Sequence, residues 1–378
     1  MPDPVDAAIL GAGAAGLSLA AHLACAGWGG RVVLIDEGLP LEARSWAWWS
    51  AGDGLLDDAA RAWSRVRLAG PGWEREAPLA PLAYRAIDGP ELAAAVGRLV
   101  GQRPGWSRVR GTVTAVTREG DGARVAVSTA DGAVEARARW VFDSVGVDDP
   151  AGGPVPWLDV GGVRVSTVRD AFDPGAVTLM DFRTDQRDGV AFLYVLPASA
   201  REALIERTVY AFPGARPGTH RPHLDAYVRE VLGLEDARVT PEEDAAIPLH
   251  PGALAAVDGA VVPIGARAGL VRASTGYGFA RIQRHSAALA AALVGGRDPA
   301  AASPRLRWAR ALDAALLRIV RDHPDGARVL FAALLRRNRP SRVLGFLEEQ
   351  ASPLAQARIF LSMPEFIPAS MRALARRA

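Results

Sequence analysis

Three glycines and one aspartate are spaced for chemistry on a phosphate-bearing ligand. Gly11, Gly13 and Gly16 form a G-x-G-x-x-G array within the run Val5–Asp36, and Asp36 follows Gly16 by twenty residues. In such an array the first glycine permits a tight strand-to-helix turn and the second lets the backbone approach a pyrophosphate. The third allows close helix–strand packing. Free N–H groups at the positive end of the next helix, in the turn that holds Ala14 and Ala15, would meet the phosphates. An acid at Asp36 would accept hydrogen bonds from an adenosine ribose. Glu37 beside it and Arg44 further on are additional candidate contacts. Strand, turn, helix, strand and terminal acid arrive here in order, so the chain is expected to bind a dinucleotide.

That ligand could be FAD or NAD. FAD is favoured by a late segment, PIGARAGLVRASTGYGF (263–279), which can hold a flavin end far from the first glycines. Gly265 and Ala266 would turn after a strand and offer backbone N–H groups to the ribityl-phosphate side. Gly276 and Tyr277 would bring backbone against the isoalloxazine edge. A helix starting near Gly278 would then present its positive end to a negatively charged ring.

The elements that position these residues follow from periodicity. Apolar strands flank an alanine-rich helix over 5–36, and ELAAAVGRLV (91–100) reads as a second helix. Alternating strands are expected at Arg110–Val116, Arg124–Thr129 and Val134–Arg139, with DG turns at 121–122 and 131–132. ARWVFDSVG (138–146) reads as a buried strand of a parallel sheet. From about 150 to 250, short β-rich runs such as AFLYVLP (191–197) and ALIERTVYA (203–211) are broken by Gly and Pro. Helical patterns then run over 278–295 and 306–321, followed by short helices punctuated by prolines. The expected class is α/β: a Rossmann-like domain from 1–150 plus 255–300, an inserted antiparallel-sheet domain over 151–254, and a helical region over 301–378.

Composition narrows the partners. The 378 residues are 49% apolar, enough for a large core, and all 44 basic residues are arginine. A net charge of +2 without a long basic run disfavours nucleic acid. The single cysteine, Cys25, excludes an internal disulfide framework and is expected to pack as a small apolar residue. The six histidines show no ligand spacing, so no metal is expected. Ala7–Ala26 is apolar but too rich in Gly and Ala, with His22, to read as a membrane span. With an acidic start and no cleavable leader, a cytoplasmic location is expected. The arginine-rich apolar helices of 329–347 suit a peripheral membrane contact, and no protein partner is called for.

Several segments together resemble the FAD-dependent lycopene cyclases of bacteria and plants, within the aromatic-hydroxylase-like flavoproteins. They are GAGAAGLSLA (11–20), RSWAWW (44–49), ARWVFDS (138–144), LMDFRT (179–184), YVLPASAREALIERT (194–208), IGARAGLVRASTGYGFARIQRHS (264–286) and FLEEQASP (346–353). The resemblance implies redox-neutral cyclisation of a polyisoprenoid end group. An acid protonates a terminal alkene, a neighbouring double bond attacks the cation, and a proton leaves the new ring. It further implies reduced FAD as an electrostatic stabiliser of the cation, with NAD(P)H as a candidate reductant.

The family's catalytic glutamate maps onto Glu206 in Leu204-Ile205-Glu206-Arg207-Thr208. Strand alternation places Leu204, Glu206, Thr208 and Tyr210 on one face, where apolar neighbours would hold a carboxyl neutral. Trp46, Trp48, Trp49, Tyr194 and Tyr210 are candidate substrate-lining residues. The chain departs from the family pattern at Val209, at Glu243-Asp244-Ala245-Ala246-Ile247-Pro248-Leu249, and at Asp143-Ser144-Val145-Gly146. These departures leave room for a terpenoid shorter than a carotenoid. Two other readings share the fold: a flavin monooxygenase or prenyl reductase that consumes NAD(P)H, and a prenyl-binding escort that has lost flavin use.

Overall fold

Apolar strands with helices between them build a parallel sheet, and the chain's first and late segments meet there. The computed structural model describes residues 4–38, 41, 44–101, 103–146, 155–215, 219–250, 255–302 and 307–364, without the side chains of 242–243 and 307–308. Strand Val5–Leu10 lies between Val32–Asp36 and Gly132–Asp143, parallel to both, and Trp106–Arg110 extends the sheet beyond Val32–Asp36. Val261–Pro263 adds a further parallel strand beside Val141–Asp143.

Gly132–Asp143 joins two expected strands into one. Its first part pairs antiparallel with Gly122–Thr129 through the turn at Asp131-Gly132, and its last part pairs parallel with the first strand. Thr112–Glu119 closes that meander.

Eight helices are used below: α1 (Ala14–Cys25), α2 (Gly89–Val100), α3 (His220–Ala226), α4 (Phe279–Val294), α5 (Arg307–Asp322), α6 (Pro324–Arg337), α7 (Pro340–Leu347) and α8 (Pro353–Leu361). Helix α1 packs against α2 and α4 over the parallel sheet. Its small residues let backbones approach, because a Cβ on Gly16 would lie 1.9 Å from the Gly11 carbonyl oxygen. Cys25, expected to pack, ends α1 exposed, since the helix turns that position away from the sheet.

The second sheet runs Arg238–Pro248, Trp157–Ser166, Glu202–Ala211, Ala191–Pro197, Ala176–Asp181, Arg65–Gly70, Trp73–Pro78. It therefore reaches outside the expected 151–254 block. Arg65–Gly70 pairs parallel with Ala176–Asp181, and such pairing needs a long crossover that local periodicity does not reveal. A small sheet of Ser45–Ser50, Ala83–Asp88 and Arg61–Trp63 lies in the same early segment.

Prolines at the first helical turns of α6, α7 and α8 punctuate the C-terminal region, where their missing N–H costs nothing. These helices are not peripheral. Leu317, Phe331, Leu334 and Leu344 share one core with Val177, Phe192 and Tyr210 of the second sheet. The opposite face of that sheet packs on α3 and the turns after it through Ile205, Leu224 and Tyr227.

Candidate active site

The ends of the parallel strands form the first half of the site. Gly11, Asp36, Asp143 and Ile264 each follow or end a strand at its carboxyl edge, where α/β sheets bind ligands. Gly11 adopts φ +91°, a conformation an L side chain resists, and a Cβ there would meet Ser144 Oγ at 2.5 Å. Gly13 differs: a Cβ would meet nothing within 4 Å, leaving an open cradle at the start of α1. No side chain caps that helix, so its first N–H groups remain for a ligand.

Asp36 accepts hydrogen bonds from the backbone N–H of Ala12 (3.0 Å) and Gly38 (2.7 Å), and from Arg108 (3.0 Å). It thereby clamps the glycine turn, with lone-pair capacity remaining for a hydroxyl. Glu37 is exposed, and Ala14 and Ala15 are buried in the first turn.

The late segment docks onto this turn. Gly265 is buried, and a Cβ on it would come within 2.7 Å of the Ala15 methyl. Ala266 is exposed beside it. Gly276, at φ +74°, approaches strand Trp157–Ser166 so closely that a Cβ would lie 2.7 Å from Leu158 Cδ1. Gly278 then starts α4, again without a side-chain cap. The two uncapped helix starts and the Gly13 cradle fit a dinucleotide carrying a flavin.

The second half is a chamber between the second sheet and the C-terminal helices, bordering about 1250 Å³ of unfilled space that includes open solvent. Trp49, Phe192, Tyr194, Tyr210 and Tyr277 line one side; Leu316, Phe331 and Leu344 line the other. Trp49 Nε1 donates to the Leu344 carbonyl (3.0 Å), and its ring stands edge-on to Tyr277 at 4.8 Å. Tyr210 donates to the Ser274 carbonyl at 2.6 Å.

Two of the expected lining residues lie elsewhere. Strand Ser45–Ser50 alternates, so Trp46 and Trp48 face away from Trp49. Trp48 donates to Asp57 (2.9 Å) and packs 4.4 Å from the Phe279 ring, and Trp46 joins the same parallel-sheet core.

Glu206 occupies the expected face of its strand, directly opposite Tyr194 on one side and Gly162 on the other. Its surroundings correct the expectation of an apolar pocket. The half-buried Glu206 lines a cleft of about 780 Å³ with Arg44, Arg61, Asp88, Arg164 and Leu204. Those charges come from other strands and from the residue preceding Ser45–Ser50, which the alternation of one strand could not show. Arg207 points to the opposite face, fully buried near Asp188 (3.3 Å) and His220 (3.5 Å). Glu243 pairs with Gly162 in the backbone ladder, and its side chain lies outside the described residues.

Between cleft and chamber stand three phenols. Tyr84 and Tyr277 hydroxyls are 2.8 Å apart, and Tyr277 donates to Tyr194 at 3.4 Å. Burial holds all three well above the ordinary tyrosine range, and the charge of Glu206 adds to the effect. Sequence reasoning missed Tyr84, which no motif marks, and missed Phe192 and the helical roof, whose contacts are all long-range.

The sequence profile described as lycopene cyclase protein matches residues 6–373. An uncharacterized carotenoid cyclase of Deinococcus radiodurans is 28% identical over 335 residues, 81% of this chain and 75% of that protein. The chloroplastic lycopene beta cyclase of Nicotiana tabacum is 29% identical over 145 residues, 35% of this chain, and the match spans only 29% of that relative.

Among solved structures, a flavoprotein/dehydrogenase from Cytophaga hutchinsonii has a TM-score of 0.67 at 14% identity, covering 96% of this chain and 100% of that one. Klebsiella pneumoniae HpxO complexed with FAD and uric acid has a TM-score of 0.61 at 17% identity, covering 92% and 98%. A geranylgeranyl bacteriochlorophyll reductase-like protein of Thermoplasma acidophilum also scores 0.61, at 14% identity, covering 97% and 99%. These likenesses establish the aromatic-hydroxylase-like flavoprotein fold.

Proposed function

The chain belongs to the lycopene cyclase family, and on that premise we propose that it is an FAD-dependent, redox-neutral cyclase of an isoprenoid end group. One observation carries the reading: an apolar, aromatic-floored chamber lies beside a carboxyl-bearing strand and the late glycine segment of a flavoprotein fold. An alkene is a very poor base, so its protonation needs a positioned acid and little water. Glu206 is the proposed acid, and it must enter the reaction protonated against the pull of Arg44, Arg61 and Arg164 in its cleft. Its support is its motif position and its place opposite Tyr194.

The aromatic faces of Trp49, Phe192 and Tyr210 suit a carbocation, which they attract through their ring quadrupoles. Gly11, Gly13 and Gly16, Asp36, Gly265 and the Gly276–Gly278 segment would hold FAD; Arg44, a further candidate contact, lines the Glu206 cleft instead. Reduced FAD supplies a negative charge that stabilises a nearby cation, and NAD(P)H is the candidate reductant.

The substrate is a carotenoid or a shorter terpenoid chain. No helix among the described residues is long and apolar enough to cross a membrane. Exposed Leu354 and Leu361 on α8, with exposed Arg336, Arg337 and Arg358 close in the chain, support peripheral contact with a lipid surface.

The test is anaerobic incubation of the full chain, loaded with reduced FAD, with acyclic isoprenoids of graded length. A product of unchanged mass and new retention supports the cyclase. An oxygen-bearing or hydrogenated product, with one NAD(P)H consumed per turnover, would replace this reading by the monooxygenase or reductase alternative.

A further inference from the structure

We propose that the Tyr194 hydroxyl hands the proton of Glu206 to the alkene, and that Tyr277 and Tyr84 hold Tyr194 in place for it. The inference rests on the acid role assigned to Glu206 above. Glu206 lines the polar cleft, whereas the apolar chamber is bounded by Tyr194 and Tyr277. An isoprenoid in the chamber therefore meets a phenol where it needs a carboxyl.

Tyr194 is the chamber-lining hydroxyl on the strand next to that of Glu206, and the relay requires the two side chains to meet in a hydrogen bond when substrate enters. It pairs with Glu206 across adjacent strands, and side chains so paired have Cβ atoms about 4.5–5.5 Å apart. Its oxygen accepts the Tyr277 proton at 3.4 Å, and Tyr277 is in turn 2.8 Å from the Tyr84 oxygen. A phenol oxygen can accept two hydrogen bonds and donate one. With Tyr277 as donor, Tyr194 can offer a lone pair to Glu206 and turn its own O–H to the chamber. Trp49 and Phe192 pack the same region without hydroxyls, so packing alone asks for no phenol here. Burying hydroxyls is costly unless each is satisfied, and these satisfy one another. Because burial also keeps the three phenols protonated, a carboxylate formed at Glu206 would not strip them.

The step balances. The alkene π pair takes the Tyr194 proton to form a C–H bond as the Tyr194 O–H bond breaks. The same oxygen takes the Glu206 proton, leaving a carboxylate opposite the new cation. After ring closure, a C–H pair becomes the ring double bond, and that proton returns through Tyr194 to Glu206. No electron is gained or lost.

The experiment compares Tyr194→Phe, Tyr277→Phe and Glu206→Gln with wild type, each as full chain carrying reduced FAD. FAD uptake and thermal melting report folding. Tyr194→Phe should lower kcat about a hundredfold or more with little change in KM. Tyr277→Phe, a positioning change, should cost about tenfold. In mixtures of light and heavy water, the wild-type kcat should fall along a curve, as when two protons move together. Should Tyr194→Phe turn over near the wild-type rate while Glu206→Gln is inactive, Glu206 protonates directly; the relay fails and the cyclase reading stands. A linear isotope response in wild type likewise overturns the relay. A wild type that makes no isomer overturns both.

Discussion

Arg272 and Asp313 form an ion pair in the wall of the apolar chamber, each side chain only 3% exposed. Arg272 Nε donates to Asp313 Oδ1 at 3.1 Å and its terminal nitrogen donates to the same carboxylate, while Nη1 reaches the Leu347 carbonyl at 2.6 Å. One guanidinium thus fixes the late glycine segment to α5 and to the end of α7. The acids of the FLEE run continue this attachment, since Glu348 pairs with Arg284 (2.9 Å) and Glu349 with Arg281, both on α4. The motif therefore fastens the chamber roof to the helix that begins at Gly278.

Removing one member of the Arg272–Asp313 pair leaves a buried charge without its partner. Asp313→Asn should cost about 3–5 kcal/mol of stability. The double variant Arg272→Met with Asp313→Leu should recover much of that loss, because apolar side chains suit the chamber wall. Urea unfolding of the three proteins checks both statements, and a double variant no more stable than the single one contradicts the second.

The first glycines separate folding from binding. Gly16→Val should destabilise the protein by about 3 kcal/mol, the upper end of overpacking costs, since even its Cβ would press on the Gly11 carbonyl. Gly13→Val should leave the melting temperature of the FAD-free protein nearly unchanged, because that position opens on empty space. FAD uptake should nonetheless be abolished. Retained FAD affinity in Gly13→Val would remove the pyrophosphate from this turn.

How much of this was readable in the sequence depended on the range of the interactions. The glycine turn, Asp36 and α1 are local, and one stretch of 32 residues specifies them. The face of Glu206 was readable because alternation is local too. Its polar surroundings were not, since Arg61 and Arg164 arrive from two other strands and Arg44 from the residue before a third. The tryptophan run misled for a different reason. Clustering suggested one shared surface, while the pleat sends Trp46 and Trp48 to one core and Trp49 to the chamber. The C-terminal helices were visible as helices, but their role as a roof needs partners more than a hundred residues away.

His285 on α4 makes stability depend on pH. It is 5% exposed, its Nε2 has no hydrogen-bond partner among the described residues, and burial pushes its pKa from 6.5 down to about 4. The unfolded chain then binds a proton that the folded chain refuses, so stability is full above pH 6.5 and falls as pH drops toward 4. At 1.36 kcal/mol per unit, this residue accounts for a loss of about 3 kcal/mol across that window. His285→Leu should shrink the acid-side decline in urea-derived stability by about that amount, and an unchanged slope would place the sensitivity elsewhere.

The decisive residue remains Glu206. Glutamine matches its shape but cannot donate an acid proton to an alkene, so Glu206→Gln should lower turnover about a hundredfold or more. Folding and FAD uptake should stay as in wild type, because the side chain lines a half-open cleft and fills no core. Glu206→Asp should keep a trace of activity, since the acid survives but is withdrawn by one methylene from Tyr194. Glu243 gives the contrast. It shares Gly162 as backbone partner with Glu206, one strand further across the sheet, so it is the nearest alternative donor in the ladder. Glu243→Gln should alter rate less than tenfold. Loss of turnover in Glu243→Gln with near-normal turnover in Glu206→Gln would move the proton donor to the strand Arg238–Pro248.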